Sequence, residues 1–202
     1  MASNGNLVVG LTGGMGCGKS TAAALFAEFG FRRLDADRVV HEVLLPSAEI
    51  TQQIREKFGG GVLTPAGAVD RAKLGAVVFA GDAALAWLED LLHPRLQAHW
   101  QQIYAGARGE KFIVEVPLLF EKRLENRFDF TVCVTTSSAL QLKRLEQRGV
   151  SPEIARQRLA KQLPLAQKCE LADFVLLNDG TPEFLREQVS ELARRLTTLH
   201  HH

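Results

Sequence analysis

Gly13-Gly14-Met15-Gly16-Cys17-Gly18-Lys19-Ser20 has the spacing G-x-x-x-x-G-K-[ST], that of a loop that wraps the phosphates of a nucleoside triphosphate. The chemistry needs these residue types. Glycines let the backbone come close enough to point successive N–H groups at phosphate oxygens. A helix starting at the end of the loop adds unpaired amide donors and the positive end of its dipole. Lys19 can then reach the β/γ-phosphates, and the Ser20 hydroxyl can ligate Mg²⁺. A Gly-rich turn with an incidental Lys-Ser would share the letters but not the flanks. Leu7–Leu11 is a short apolar run of strand type, and Thr21–Phe29 is Ala- and Leu-rich and helical in character. The motif therefore sits between strand and helix, the setting of a working phosphate loop.

Moving a phosphoryl group to an alcohol needs positioning, charge neutralisation and a carboxylate beside the acceptor hydroxyl. Asp35-Ala36-Asp37 follows a second strand, whose C-terminal end lies on the phosphate-loop edge of a parallel sheet. With one residue between them the two aspartates point in different directions, so one acts and the other caps the next helix; the alternative makes both of them caps. Glu115 ends the apolar run Phe112-Ile113-Val114. It either holds the hydration shell of Mg²⁺ or fixes the turn at Pro117, and Asp35 is the other carboxylate that could touch the ion. Arg144 and Arg148, one helical turn apart, present guanidinium donors suited to a transferring phosphate. Arg71 and Arg95 could grip an anionic acceptor. His93, before a proline, is either a packed histidine or a substrate contact. Trp87 and Trp100 read as core. Cys17, beside Lys19 and a helix N-terminus, is expected to favour its thiolate, to alkylate faster than Cys133 or Cys169, and to be protected by ATP.

Positioning these groups requires a layered scaffold. Strand-type runs recur at Leu7–Leu11, Lys111–Val116, Phe130–Thr135 and Asp173–Leu177, with a weaker one at Phe31–Leu34. Helical patterns at Lys19–Phe29, Ala84–Ala107, Ser138–Arg148 and Pro182–Leu199 separate them. Apolar runs spaced by helices predict a parallel sheet covered on both faces, an α/β/α sandwich. Residues from Ala36 to Ala107 carry little strand signal and predict a helical insertion, with a break or kink at His93-Pro94. Gln141–Lys168 holds Lys143, Arg144, Arg148, Arg156, Arg158, Lys161 and Lys168 against only Glu146 and Glu153. Gly149-Val150-Ser151-Pro152 splits this basic stretch into two helices, Ser151 as N-cap and Pro152 first in the helix. It is either a lid that closes on phosphates or a solvated face. The organisation is one domain over 1–199: a core of 1–35, 109–140 and 171–199, an insertion over about 36–108, and a lid over about 141–170.

Composition sets outer bounds. A hydrophobic content of 46%, a charged content of 23% and a formal net charge of +1 suit a soluble globular protein, and give no reason to expect nucleic acid or a membrane surface as partner. No apolar run reaches membrane-spanning length, and a cytoplasmic location is the expectation. Cys17, Cys133 and Cys169 are too scattered for a disulfide framework or a metal cluster. Leu199-His200-His201-His202 reads as an affinity-tag remnant. Oligomeric state leaves no sequence signal.

Taken together, the motifs resemble those of the dephospho-CoA kinase family along nearly the whole chain. Gly10–Thr21 is similar to its GLTGGIGSGKS opening, and Asp35-Ala36-Asp37-Arg38 stands at its DAD segment. Val69–Leu74 through Val78-Phe79 resembles DR-x-x-L…VF, Leu92-His93-Pro94 the LHP signature, and Pro117–Glu121 the PLLFE motif. Arg144, Arg148 and Arg158–Gln162 resemble the lid, and Asn178-Asp179-Gly180 a late N-x-G near the adenine. Cys17 replaces a serine, Met15 an isoleucine, and Gly149 a common aspartate. The resemblance implies a three-layer α/β/α P-loop kinase fold with a substrate-binding insertion and a lid. It implies ATP and Mg²⁺ as cofactors, and transfer from ATP to the ribose 3′-hydroxyl of dephospho-CoA. Gly14, Met15, Gly16, Cys17, Gly18, Lys19, Ser20, Thr21 and Asn178 would hold ATP. Thr12, Asp37, Arg71, His93 and Pro117 would hold the acceptor, and Asp37, Lys19, Arg144 and Arg148 would carry the chemistry.

Two rival functions share the phosphate loop. A kinase of another small molecule would differ only at Asp37, Arg71, His93-Pro94 and the Pro117 turn. A GTPase switch would need N-K-x-D, which the sequence lacks.

Overall fold

Residues 7–13 are apolar or small throughout, as a strand covered on both faces requires. In the computed structural model, which describes residues 4–160 and 162–200, they form β1 (Leu7–Gly13), buried at every position. Lys161 of the basic stretch, and His201 and His202 of the C-terminal run, lie outside the described residues. The other strands are β2 (Phe31–Asp35), β3 (Lys111–Glu115), β4 (Phe130–Thr135) and β5 (Phe174–Leu177). All pair in parallel, in the order β2-β3-β1-β4-β5. The phosphate loop thus leaves the central strand at its carboxyl end, where open α/β sheets bind ligands.

Strand side chains alternate between faces, and the two faces differ. Leu7, Val9, Leu11, Ile113, Val132 and Val134 join Phe26 of α1 (Lys19–Glu28) and Leu185, Val189 and Leu196 of α9 (Pro182–His200) in one core. The opposite face is covered in part by α8 (Leu165–Leu171), which packs on β1 and β4. The parallel sheet with helices on both sides agrees with the expected sandwich. Among the described residues no helix is long and apolar enough to cross a membrane.

The chain divides into two compact units, residues 1–35 with 107–202, and residues 36–106. The second is helical: α2 (Ala36–Val39), a π-turn over Val40–Leu44, α3 (Ala48–Phe58), α4 (Arg71–Val78) and α5 (Asp82–Ala105). Asp70 caps α4, accepting from the amides of Ala72 (3.1 Å) and Lys73 (3.2 Å). Trp100 is buried in α5, while Trp87 is half-buried, edge-on to Phe58 at 5.2 Å.

The break expected at His93-Pro94 does not occur; α5 runs through Pro94. An interior proline costs about 3 kcal/mol. Leu91, Leu92, Leu96 and Trp100 are buried around it, at roughly 1.5–3 kcal/mol per large apolar side chain. Burial wins, and the Arg95 guanidinium adds a bond to the Leu91 carbonyl (2.9 Å).

In the first unit, α6 (Ser138–Gln147) and α7 (Pro152–Ala160) flank the Gly149 turn as expected, with the Ile154 amide 3.4 Å from the Ser151 hydroxyl.

Candidate active site

Gly16 (φ 83°) and Gly18 (φ 92°) adopt the left-handed conformation that a side chain resists, which lets the loop curl between β1 and α1. A Cβ at Gly18 would also collide with the Asn178 side-chain amide. The first α1 rung runs from the Ala22 amide to the Gly18 carbonyl (3.0 Å), so the Lys19, Ser20 and Thr21 amides have no partner within the helix. Lys19 arches over the loop and donates to the carbonyls of Gly13 (3.0 Å) and Gly14 (2.9 Å). Burial lowers its pKa; Cys17 opposes that shift, and Lys168 adds to it.

Sheet register brings the acids together. Glu115 pairs with Leu11 on one side and Asp35 on the other. Its carboxylate is 5% exposed, accepts from the Ser20 hydroxyl (3.0 Å) and is bound by Arg33 Nε (2.6 Å). Arg33 Nη2 also lies 3.7 Å from Asp35. The Pro117 turn is held by other groups: its carbonyl accepts from the Thr12 hydroxyl (3.3 Å) and from Lys168 (2.8 Å). Of the two roles open to Glu115, the structure shows the carboxylate on Ser20 and not on the turn. No motif singles out Arg33, although a charged pair inside a strand-type run marks a residue with something to bind.

Three side chains brace the loop from the far side. The Gln141 amide donates to the Met15 carbonyl (3.0 Å) and to Cys17 Sγ (3.2 Å). The Asn178 amide donates to the Cys17 carbonyl (2.8 Å). Arg144 reaches the Gly16 (3.5 Å) and Asn178 (3.1 Å) carbonyls. Asp179 anchors the start of α6 through Thr136 and the Ser137 amide, bonds that lower its pKa, the Thr136 hydroxyl most. Arg148 sits at the exposed C-terminal cap of α6, past the reach of these bonds. Gln141 precedes Arg144 by one helical turn, and that spacing could have identified it.

Cys17 corrects an expectation. It is 0% exposed, and burial raises its pKa, outweighing the pull of Lys19. Burial raises the Cys133 thiol too, whereas Cys169 is half-buried. A raised pKa leaves less thiolate at every pH below it, so buried Cys17 does not label first and the half-buried Cys169 precedes it. Peptide-resolved mass spectrometry after iodoacetamide treatment of the native protein should show Cys169 modified before Cys17. Faster labelling of Cys17 would contradict its burial.

In the helical unit, Asp37 is exposed on α2, two residues past the end of β2, and Arg71 is exposed at the start of α4. His93 is half-buried in α5. Arg95 is engaged by Glu49, whose pKa that hydrogen bond lowers.

Known proteins match the chain along most of its length. A family model described as dephospho-CoA kinase covers residues 7–183. A dephospho-CoA kinase of Thermobifida fusca is 38% identical over 192 residues, 94% of this chain and 96% of its own. The chain belongs to the dephospho-CoA kinase family. Dephospho-CoA kinases catalyse the final step of CoA biosynthesis, the ATP-dependent phosphorylation of dephospho-CoA, and the chain is an enzyme of that kind. Among solved structures, dephospho-CoA kinase from Campylobacter jejuni superposes with a TM-score of 0.68 at 26% identity, over 96% of this chain and 98% of that one. A Thermus thermophilus protein does so at 0.83 and 29%, over 95% and 98%.

Proposed function

We propose that the chain transfers the γ-phosphoryl group of Mg²⁺–ATP to the ribose 3′-hydroxyl of dephospho-CoA, with Asp37 as the base. The observation that carries this reading is the Lys19–loop arrangement beside the Ser20–Glu115 pair, in a chain of this family. The cation fits its proposed site, because Ser20 and Glu115 set two hard oxygen donors 3.0 Å apart at the loop's end. Ser20 would ligate Mg²⁺ directly and Glu115 through water; when bound, the ion neutralises phosphate charge. Lys19 and the free amides of early α1 hold the β/γ-phosphates. Arg144 stabilises charge that develops on the transferring group, and Arg148 joins it from the end of α6. Asp37 orients the acceptor hydroxyl and takes its proton. Arg71 and His93 of the helical unit bind the acceptor. Thr12 and Pro117, bonded to each other, shape its site from behind the loop.

The test is direct. Purified protein with magnesium, ATP and dephospho-CoA should release ADP and yield CoA, with the new phosphate located at the 3′ position by phosphorus NMR. Activity confined to a different alcohol or a nucleoside monophosphate would transfer the same site to another kinase reaction.

A further inference from the structure

Among the described cations of residues 141–168, Lys168 alone is buried. Its side chain is 0% exposed, on the face of α8 that packs against the sheet. Lysine is seldom buried so fully, and an ammonium out of water needs partners. Lys168 has two. Its Nζ lies 2.7 Å from Glu121 Oε1 and donates to the Pro117 carbonyl at 2.8 Å.

Each partner leads to a different part of the catalytic apparatus. The Pro117 carbonyl also takes the Thr12 hydroxyl, and Thr12 precedes Gly13, whose carbonyl holds Lys19. Glu121 Oε1 also accepts from the Leu163 amide (2.9 Å), in the linker between α7 and α8. Gly14, Gln141, Arg156, Gln162 and Leu163 help to line a cavity of about 360 Å³ over the loop. Gly14 of the phosphate loop and Gln162, Leu163 and Pro164 of the linker border it.

We infer that Lys168 is a positioning residue for phosphoryl transfer, a single buried ammonium that holds the base of the phosphate loop and the root of the lid in one geometry. It touches neither substrate and acts through Pro117, Thr12 and Glu121. The role deepens the kinase reading and rests on it. Small misplacements of reacting groups cost far more in rate than in binding, so the loss should fall on kcat.

Lys168→Met removes the ammonium and keeps the length of the side chain. It should lower kcat about 10- to 100-fold and change the affinity for a non-hydrolysable ATP analogue much less. It should also lower Tm, because the Glu121 carboxylate loses its cation. The double variant Lys168→Met with Glu121→Gln removes that stray charge. It should recover Tm while kcat stays low, and Lys168→Arg should restore part of kcat. Recovery of kcat together with Tm in the double variant would make the pair purely structural and overturn the proposal. So would full turnover in Lys168→Met alone. Should Lys168→Met fail to fold, the double variant and Lys168→Arg decide on the same criteria. The comparison is the variant-to-wild-type ratio of ADP release, measured with dephospho-CoA and again without it, where water takes the phosphoryl group and inorganic phosphate is the second product. A wild type that hydrolyses ATP but leaves dephospho-CoA unphosphorylated defeats the substrate assignment, and the ratio for hydrolysis still tests Lys168.

Discussion

Replacing Asp37 by asparagine is expected to lower turnover about 10²- to 10⁴-fold, the range for loss of a general base, while ATP binding survives. Asparagine keeps the shape and one acceptor oxygen but cannot take a proton. Of these three acids, Asp37 alone is engaged by neither Arg33 nor Ser20: it is exposed on α2, whereas Asp35 sits by Arg33 and Glu115 is shared by Ser20 and Arg33. Phosphoryl transfer has a loose transition state in which the acceptor hydroxyl is still largely protonated. The loss should therefore lie toward the lower end of the range. Two measurements decide it: single-turnover phosphorylation of dephospho-CoA, and calorimetric titration with a non-hydrolysable ATP analogue. Near-normal turnover would remove Asp37 as base. A parallel loss of nucleotide affinity would assign it to binding.

What the sequence could reveal depended on how local the determining physics was. The phosphate loop was legible because the eight residues, the strand before them and the helix after them are contiguous, and each glycine answers a backbone requirement. The strands were legible for the same reason; even the weak Phe31–Leu34 run forms β2, one residue longer. Pro94 misled because its penalty is local while the compensation is tertiary, from Leu91, Leu92, Leu96 and Trp100. Cys17 misled in the same sense. Its neighbours in sequence favour a thiolate, but the Gln141 amide comes from α6, more than a hundred residues on, and the core that buries it includes residues of β4 and α9. Lys168 is, by sequence, one more cation in a basic stretch, since nothing beside it announces Pro117 and Glu121 as partners. Arg33 was hidden because its partner Glu115 becomes a neighbour only when β2 pairs with β3. Contacts within a motif could be read; contacts made by sheet register and helix docking could not.

Lys19→Ala should damage both phosphate binding and rate, with kcat down about 10²- to 10³-fold, the usual loss for one preorganised donor at a developing charge. Two roles end together. The ammonium no longer meets the β/γ-phosphates, and the Gly13 and Gly14 carbonyls lose the group that spans them. The pH dependence separates charge from shape. Burial lowers the Lys19 pKa in the free protein, and bound phosphates favour the charged form and raise it again. Binding therefore selects the protonated lysine. That contribution to ATP affinity is complete below the free-protein pKa and fades as pH rises through it toward the higher pKa of the complex. ATP phosphates are already fully ionised in that range, so the slope belongs to the protein. Calorimetry with a non-hydrolysable analogue across alkaline pH should show affinity falling in the wild type and a flatter profile in Lys19→Ala. An unaffected variant would contradict the loop assignment, and an identical alkaline slope would trace the titration to another group.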